Sequence, residues 1–163
     1  MADAGRMTER IRDVEQMPVY QCFAELALRL EVDTRKYGPD FRWLRIQCLR
    51  SSESVCADMT KGFYSQYSAE YLQGLHRSRR EARETIYHIR YAMGSGQLDD
   101  QIARGLISDY EAACVQPANL IASIERKIRQ HGKSKDLPYL VREETGEYDT
   151  EMLSAGVPIG HQP

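Results

Sequence analysis

The amino-acid sequence predicts an all-α protein, an up-down-up-down antiparallel four-helix bundle followed by an irregular C-terminal tail. Four long segments carry apolar residues at steps of three and four, the period of an amphipathic helix. The connections between them are short, which is typical of antiparallel neighbours in a bundle. No segment has the alternating pattern of a strand. We therefore expect a polar N-terminal arm over residues 1–17, the bundle over 18–131 and the tail over 132–163.

The first helix is expected to begin at Pro18 and to end before the Gly38-Pro39 pair. Proline suits the first turn of a helix, and glycine is common where a helix closes. The apolar stripe of this segment steps by four, three and four and comprises Val19, Phe23, Leu26 and Leu30. Helices one and two should therefore be antiparallel neighbours joined by a tight turn.

The second helix, expected over about residues 40–61, is the one around which the chain is organised. Its main stripe comprises Leu44, Cys48, Ser52, Val55 and Met59. The many small residues around this stripe would let another helix approach closely, so we expect a central position. Gly62 is expected to close the helix in the left-handed conformation. A second stripe of Trp43, Ile46 and Leu49 indicates a helix that is either central or covered by another subunit.

The third and fourth helices complete the predicted bundle. The third is expected to start with Ser68 as its N-cap and to end near Gly94, with Arg79 interrupting its apolar stripe. The fourth pattern covers residues 98–128 and contains Pro117. Because proline lacks a backbone donor, we expect a kink or short break near Val115.

Composition narrows the class of protein. The chain has 163 residues and a formal net charge of −2, which argues against coating nucleic acid by bulk electrostatics but allows a local basic face. No apolar run approaches the roughly 20 residues that span a bilayer, and residues 1–16 do not resemble a secretory signal. We expect a cytoplasmic protein without membrane contact. The four cysteines match no metal-ligand spacing and are expected to be reduced, buried thiols.

A family signature is recognisable in the second helix. The family pattern reads roughly Q-L-x-R-A-A-x-S-I-x-x-N-I-A-E-G, and this chain has QCLRSSESVCADMTKG at residues 47–62. Direct matches are Gln47, Arg50, Ser54 and Gly62, and the segment SAEYLQGL that follows is similar to the family's S-x-K-E-F-x-R-F-L. Departures are Asp58 for asparagine, Lys61 for glutamate and Arg80-Glu81 for Gly-Ser. Over roughly residues 18–130 the chain resembles, as a divergent member, the four-helix bundle proteins first noticed in intervening sequences of bacterial large-subunit ribosomal RNA genes.

This resemblance carries functional expectations. A related branch is the accessory variability determinant of diversity-generating retroelements. That branch implies a homo-oligomer, a pentamer by resemblance, with a basic surface that binds a reverse transcriptase and nucleic acid. It supplies no active site that could be transferred to this chain.

The residues themselves carry little sign of catalysis. We find no glycine-rich phosphate loop, no metal-spaced ligand set and no nucleophile elbow. Asp99 and Asp100 suit a helix start, and His88 is expected to be a partly buried packing residue. The sequence therefore predicts a protein that is not an enzyme and that has no cofactor or metal.

Two sets of residues are candidates for binding. Basic residues of the third helix, with Arg77, Arg80, Arg83 and Arg90 expected to face one way, could neutralise phosphates. The basic candidates are Arg77, Arg79, Arg80, Arg83 and Arg90, followed by Arg126, Lys127, Arg129 and Lys133 near the end of the fourth helix. The aromatic candidates are Trp43, Tyr64, Tyr67 and Tyr71, for which packing or a subunit interface is favoured over base stacking.

Each basic set also has a plainer interpretation. Glu81 and Glu84 could pair with Arg77 and Arg80 at helical spacing, and cations suit a helix C-terminus. Two functional hypotheses follow. The first is a non-catalytic, homo-oligomeric accessory protein that binds RNA or DNA and a nucleic-acid enzyme, plausibly a reverse transcriptase. The second is a protein-binding scaffold without nucleic-acid contact.

Overall fold

The computed structural model describes residues 11–131, and this part of the chain contains helices and turns but no strand. Its α-helices are α1 (Pro18–Asp33), α2 (Arg42–Phe63), α3 (Ser68–Gly94), α4 (Asp100–Ala113) and α5 (Val115–His131). Three 3-10 turns lie at Val14–Gln16, Thr34–Lys36 and Pro39–Phe41. The predicted all-α bundle is confirmed, with α4 and α5 together forming its fourth arm.

The fourth arm breaks where the sequence predicts. α4 ends at Ala113, Cys114 forms a turn, and α5 starts at Val115. Pro117 therefore lies in the first turn of α5, where the missing backbone donor costs no helical hydrogen bond. α4 packs against both α1 and α3, and α5 continues along α3, so the four arms surround a single core.

The predicted stripe of α2 lies in that core. Its buried members are Leu44, Cys48, Ser52, Val55 and Met59. Two hydroxyl pairs cross the same interior. The Ser52 Oγ lies 2.7 Å from the hydroxyl oxygen of Tyr110 in α4, and the Thr85 hydroxyl of α3 donates to the Ser51 Oγ at 2.9 Å. The small, polar members of α2 are therefore buried with hydrogen-bond partners, as buried hydroxyl groups require.

The prediction that Gly62 closes the second helix is wrong. α2 continues through Gly62 to Phe63, and within residues 11–131 only Gly96 has a left-handed backbone, with φ of 71°. Gly62 is instead required for packing, since a Cβ built on it would lie 3.1 Å from the Cα of Gly74 in α3. Its lack of a side chain lets α2 and α3 approach closely.

Two helix starts differ slightly from the predicted ones. Tyr67, with an extended backbone, occupies the N-cap of α3, and Ser68 is already its first helical residue. The second helix begins at Arg42, because residues 39–41 form a 3-10 turn after Gly38. Such tight turns commonly lead into α-helices.

The second stripe of α2 lies at the surface of the chain. Trp43 is 50% exposed and Ile46 is 60% exposed, while Leu49 is partly buried. On this side α2 is not covered by another part of residues 11–131. Within residues 11–131, α2 packs mainly on α1 and α3, so the expected central position is not borne out on this side.

The end of the N-terminal arm joins the core. Val14 and Met17 are fully buried, although the polar composition of residues 1–16 gave no sign of this. The backbone N–H of Val14 donates to the Tyr64 hydroxyl at 3.4 Å, and the Tyr71 hydroxyl lies 4.0 Å from the Met17 sulfur. Residues 1–10 and the tail predicted over 132–163, including Lys133, lie outside the described residues.

Candidate nucleic-acid interface

The α2–α3 contact positions the candidate site. At Gly62 and Gly74 the two backbones approach so closely that a Cβ built on Gly74 would lie 2.8 Å from the Asp58 carbonyl oxygen. This approach sets Asp58 of α2 beside the residues of α3 that follow Gly74. The surface next to the contact is an open cleft.

The cleft has a volume of about 580 Å³ and is lined by Asp58, Gln73, His76, Arg77 and Arg80. Arg77 and Arg80 are exposed and lie one helical turn apart on α3. In the described part of the chain neither guanidinium forms an ion pair. Asp58 is the acidic member of the lining, and Lys61 Nζ lies 3.3 Å from its Oδ1. Two uncommitted guanidinium groups on a concave surface can bind a phosphate group.

The pairing of Glu84 with Arg80 that helical spacing allowed is absent from the structure. Glu84 Oε1 instead lies 3.5 Å from His88 Nε2 and 4.0 Å from Arg50 Nη2 of α2. Because its nearest partners are His88 and Arg50, this carboxylate forms no ion pair with the cleft arginines. The structure thus removes part of the plainer interpretation of the basic strip.

The arginines predicted to face one way are divided between two sides of α3. Arg77 and Arg80 line the cleft beside α2, whereas Arg90 pairs with Glu111 of α4 at 2.8 Å. Arg79 and Arg83 lie toward Cys114, where their positive charges oppose the rise that burial causes in the pKa of that thiol. The tertiary packing therefore reduces five candidate arginines to two that share one concavity.

The second basic run lies close to the rim of the cleft. His76 Nε2 lies 3.8 Å from Glu125 Oε1 of α5, and Arg126 and Arg129 are exposed on that same helix. Lys127 is partly buried and has an interaction partner. Arg126 follows Glu125 in α5, and Glu125 lies beside His76, which lines the cleft.

The aromatic candidates fall into two groups, one buried and the others partly exposed. Tyr71 is buried, and its ring meets Phe63 edge-on with centroids 6.3 Å apart. Tyr64 contacts Phe63 similarly at 5.1 Å, and Tyr67 is exposed at the start of α3. Trp43 packs edge-on against Tyr91 of α3 at 5.6 Å. Packing accounts for Tyr71 and in part for Tyr64, while Tyr67 and Trp43 keep about half their surface in solvent.

His88 and two of the cysteines in the described part of the chain are shielded by packing. His88 is buried as expected, with its ring 5.3 Å from that of Tyr87. Burial raises the pKa of both Cys48 and Cys56 to about 11, which disfavours the reactive thiolate at neutral pH. Within residues 11–131, no three His, Cys, Asp or Glu side chains converge on a point that could hold a metal ion.

Sequence reasoning missed three members of the cleft, namely Asp58, Gln73 and His76. Asp58 and Gln73 belong to different helices, and their meeting depends on the Gly62–Gly74 contact. A signal was present, because small residues on both helices at corresponding positions are typical of a close crossing. The small residues of α2 predicted a close helix neighbour, but Gly74 was not recognised as the matching position on α3.

Comparison with known proteins agrees with the fold. The family described as 23S rRNA-intervening sequence protein matches residues 15–116. A crystal structure of a protein of unknown function from the S23 ribosomal protein family of Bacteroides thetaiotaomicron is similar, with a TM-score of 0.55 and 20% sequence identity. The match covers 63% of this chain and 97% of that protein. No curated protein matches the sequence.

The part of the chain that the structure describes contains no helix with both the length and the apolar character needed to cross a membrane. The matched family covers most of the bundle, including the signature segment of α2 and all of α3. The chain belongs to the 23S rRNA-intervening sequence protein family.

Proposed function

We propose that this chain is a non-catalytic accessory protein that binds RNA through the α2–α3 cleft. The observation that carries the proposal is the pair Arg77 and Arg80, which are exposed, unpaired within residues 11–131 and adjacent on one concave surface. Because the net charge of the chain is −2, attraction to a polyanion must be local. Of RNA and DNA, RNA is favoured by the family description, which refers to ribosomal RNA.

The partner enzyme is the part of this proposal that depends on family resemblance. The signature at residues 47–62 resembles that of the ribosomal RNA intervening-sequence proteins, and a related branch of these is the accessory protein that serves a reverse transcriptase. We therefore propose a nucleic-acid enzyme, specifically a reverse transcriptase, as the protein partner. The exposed basic run of α5, with Arg126 and Arg129, is available for the same RNA or for that enzyme.

We further propose a homo-oligomer, with five subunits by resemblance. Leu28 and Val32 lie one turn apart on α1 and are 71% and 54% exposed, and Ile46 is exposed on the neighbouring α2. Large apolar side chains exposed on adjacent helices favour a covered surface in the working assembly. A second copy of the bundle would cover them.

The same exposed residues favour a second candidate function, a protein-binding scaffold without RNA contact. In that case the apolar face of α1 and α2 would receive a different protein. The arginines of the cleft would then make ion pairs across the interface. RNA binding separates the two candidates.

The cleft is tested by RNA affinity at two salt concentrations. Two phosphate contacts on a single strand predict a slope near −1.4 for log K against log salt, or about a sevenfold loss between about 50 and about 200 mM. Replacing both cleft arginines (Arg77→Ala/Arg80→Ala) should abolish most of this salt dependence and weaken binding at low salt. Fluorescence anisotropy of a labelled RNA gives both values.

The matched control is Arg12→Ala/Arg104→Ala, which removes two exposed arginines elsewhere and changes the net charge equally. It should bind RNA like the unaltered protein. Equal losses in the two double variants would show that only overall charge matters. Absence of binding at low salt would reject the RNA proposal in favour of the scaffold.

The oligomer is tested by sedimentation and native mass measurement. We expect a mass that is a multiple of 18.7 kDa, and Ile46→Glu should shift it toward the single chain because a buried carboxylate is costly. Ile102→Glu places the same charge on an exposed apolar position of α4 and serves as the control. A single-chain mass at micromolar concentration would contradict the proposal.

A further inference from the structure

We infer that the α2–α3 face binds single-stranded RNA, with an unpaired base stacking on Trp43 and Tyr91 while the cleft arginines hold phosphates. This inference rests on the proposed RNA-binding function. It adds a second subsite, of different chemistry, at the opposite end of the same face. It also specifies the form of RNA that the face accepts.

The aromatic pair is suited to stacking. Trp43 is 50% exposed and Tyr91 is 45% exposed, so about half of each ring system meets solvent. Their centroids lie 5.6 Å apart with an interplanar angle of 69°, an edge-to-face contact in which each ring restrains the other. Exposed aromatic rings held in one orientation are the platforms that single-stranded nucleic acids use.

Helical geometry places the aromatic pair and the basic residues on one face. Eleven residues separate Arg80 from Tyr91 on α3, which is about 16 Å and about three turns. On α2, Arg50 follows Trp43 after about two turns and Lys61 follows after about five turns. Each of these side chains is exposed, namely Trp43, Arg50, Lys61, Arg80 and Tyr91. An extended strand of a few nucleotides can therefore contact both the rings and the arginines.

The contact pairs along the two helices show that this face is continuous. Trp43 meets Tyr91 at one end, and Arg50 lies 4.0 Å from Glu84 further along. The Gly62–Gly74 contact lies at the other end, next to the cleft. Two acidic groups of this face, Asp58 and Glu84, each lie beside a cation of α2. The positive charges of Arg77 and Arg80 therefore remain available to bind phosphates of the RNA strand.

The chemistry favours a single strand over a duplex. Bases inside a duplex are stacked on one another and cannot lie on a protein ring, whereas unpaired bases can. The face also offers only a few cations, interrupted by carboxylates, which is little compensation for the dense phosphate charge of a duplex. Stacking supplies attraction that does not depend on charge.

Trp43 is the only tryptophan in the chain, so its fluorescence reports directly on this subsite. The full chain is titrated with a labelled single-stranded RNA of about ten nucleotides, a length that single-strand-binding folds cover. The same RNA as a duplex is titrated in parallel. We expect tryptophan quenching that saturates together with the anisotropy for single-stranded RNA, and weaker binding of the duplex.

Trp43→Ala should weaken binding of the single strand by about 5- to 150-fold, the range measured for a lost stacking contact. Tyr91→Leu, which keeps an apolar side chain beside Trp43, should also weaken it. Ile102→Ala removes an exposed apolar side chain of α4 and should bind normally. Circular dichroism confirms that each variant is folded, and Tyr91→Leu tests the subsite if Trp43→Ala does not fold.

The failures of the two proposals are distinguishable. Anisotropy that rises without tryptophan quenching, with unchanged affinity in folded Trp43→Ala, would overturn the stacking subsite and retain RNA binding by the cleft. Equal affinity for the duplex would overturn the assignment to a single strand. A change of oligomer mass in Trp43→Ala with unaltered RNA affinity would assign the pair to a protein contact. No anisotropy change at low salt would overturn the proposed function itself.

Discussion

Gly74→Ala is expected to destabilise the protein by about 2 kcal/mol. The new Cβ would lie 2.8 Å from the Asp58 carbonyl oxygen and 2.8 Å from the Cα of Gly62. Both neighbours are backbone atoms, so neither can rotate away and the two helices must separate. Overpacking of this kind costs about 1–3 kcal/mol or more, and the better helix propensity of alanine returns about 1 kcal/mol. The free energy of unfolding in urea measures the net effect.

Gly94→Ala is the matched control, because Gly94 is the last residue of the same helix and nothing lies within 4 Å of its Cβ position. It should be neutral or slightly stabilising, since alanine restricts the unfolded chain. Similar unfolding free energies for the two variants would contradict the close α2–α3 contact. Because Asp58 lines the cleft, Gly74→Ala should also weaken RNA binding, whereas Gly94→Ala should not.

Tyr110→Ala is expected to cost about 3–5 kcal/mol, the range for removing a fully buried aromatic side chain. The Tyr110 ring packs against Phe23 of α1 with centroids 6.0 Å apart, and its hydroxyl lies 2.7 Å from the Ser52 Oγ of α2. One side chain of α4 thus contacts two other arms of the bundle. Burial raises the pKa of the Tyr110 hydroxyl above its ordinary value, so it stays neutral near pH 7.

Tyr110→Phe separates the hydrogen bond from the packing. It keeps the ring but leaves the Ser52 hydroxyl without its partner in the core, which should cost about 1–3 kcal/mol. Combining it with Ser52→Ala removes both polar groups and should recover part of that loss. Additive losses in the double variant, measured by urea unfolding, would show that the two hydroxyls are not coupled.

Much of the fold could be predicted because helix formation leaves local signals. The stripe of α2 identified its buried face, since residues three and four apart share one side of a helix. Pro117 marked the break before Val115, and the Gly38-Pro39 pair marked the first connection. Each of these signals depends on neighbouring residues alone. Polar composition, by contrast, concealed the burial of Val14 and Met17, because two apolar residues three apart form no recognisable stripe.

The candidate site was less predictable. Spacing placed Arg77, Arg80, Arg83 and Arg90 on one exposed arc of α3, which is broad enough to border two different helices. Packing of α2 on one flank and α4 on the other divides that arc. Helical spacing also offered Arg80 as a partner for Glu84. In the structure Glu84 instead lies nearest to His88, one turn further along α3, and to Arg50 of α2.

The sequence by itself determined that the chain forms amphipathic helices, which face of each is buried, and where the fourth arm breaks. Only the tertiary structure decided that Gly62 belongs inside a helix and that Arg77 and Arg80, alone among the arginines of α3, share a cleft with Asp58. The reason is physical. Periodicity specifies the buried direction of a helix, but the distance and rotation between two packed helices depend on contacts such as Gly62–Gly74 that join residues distant in the chain.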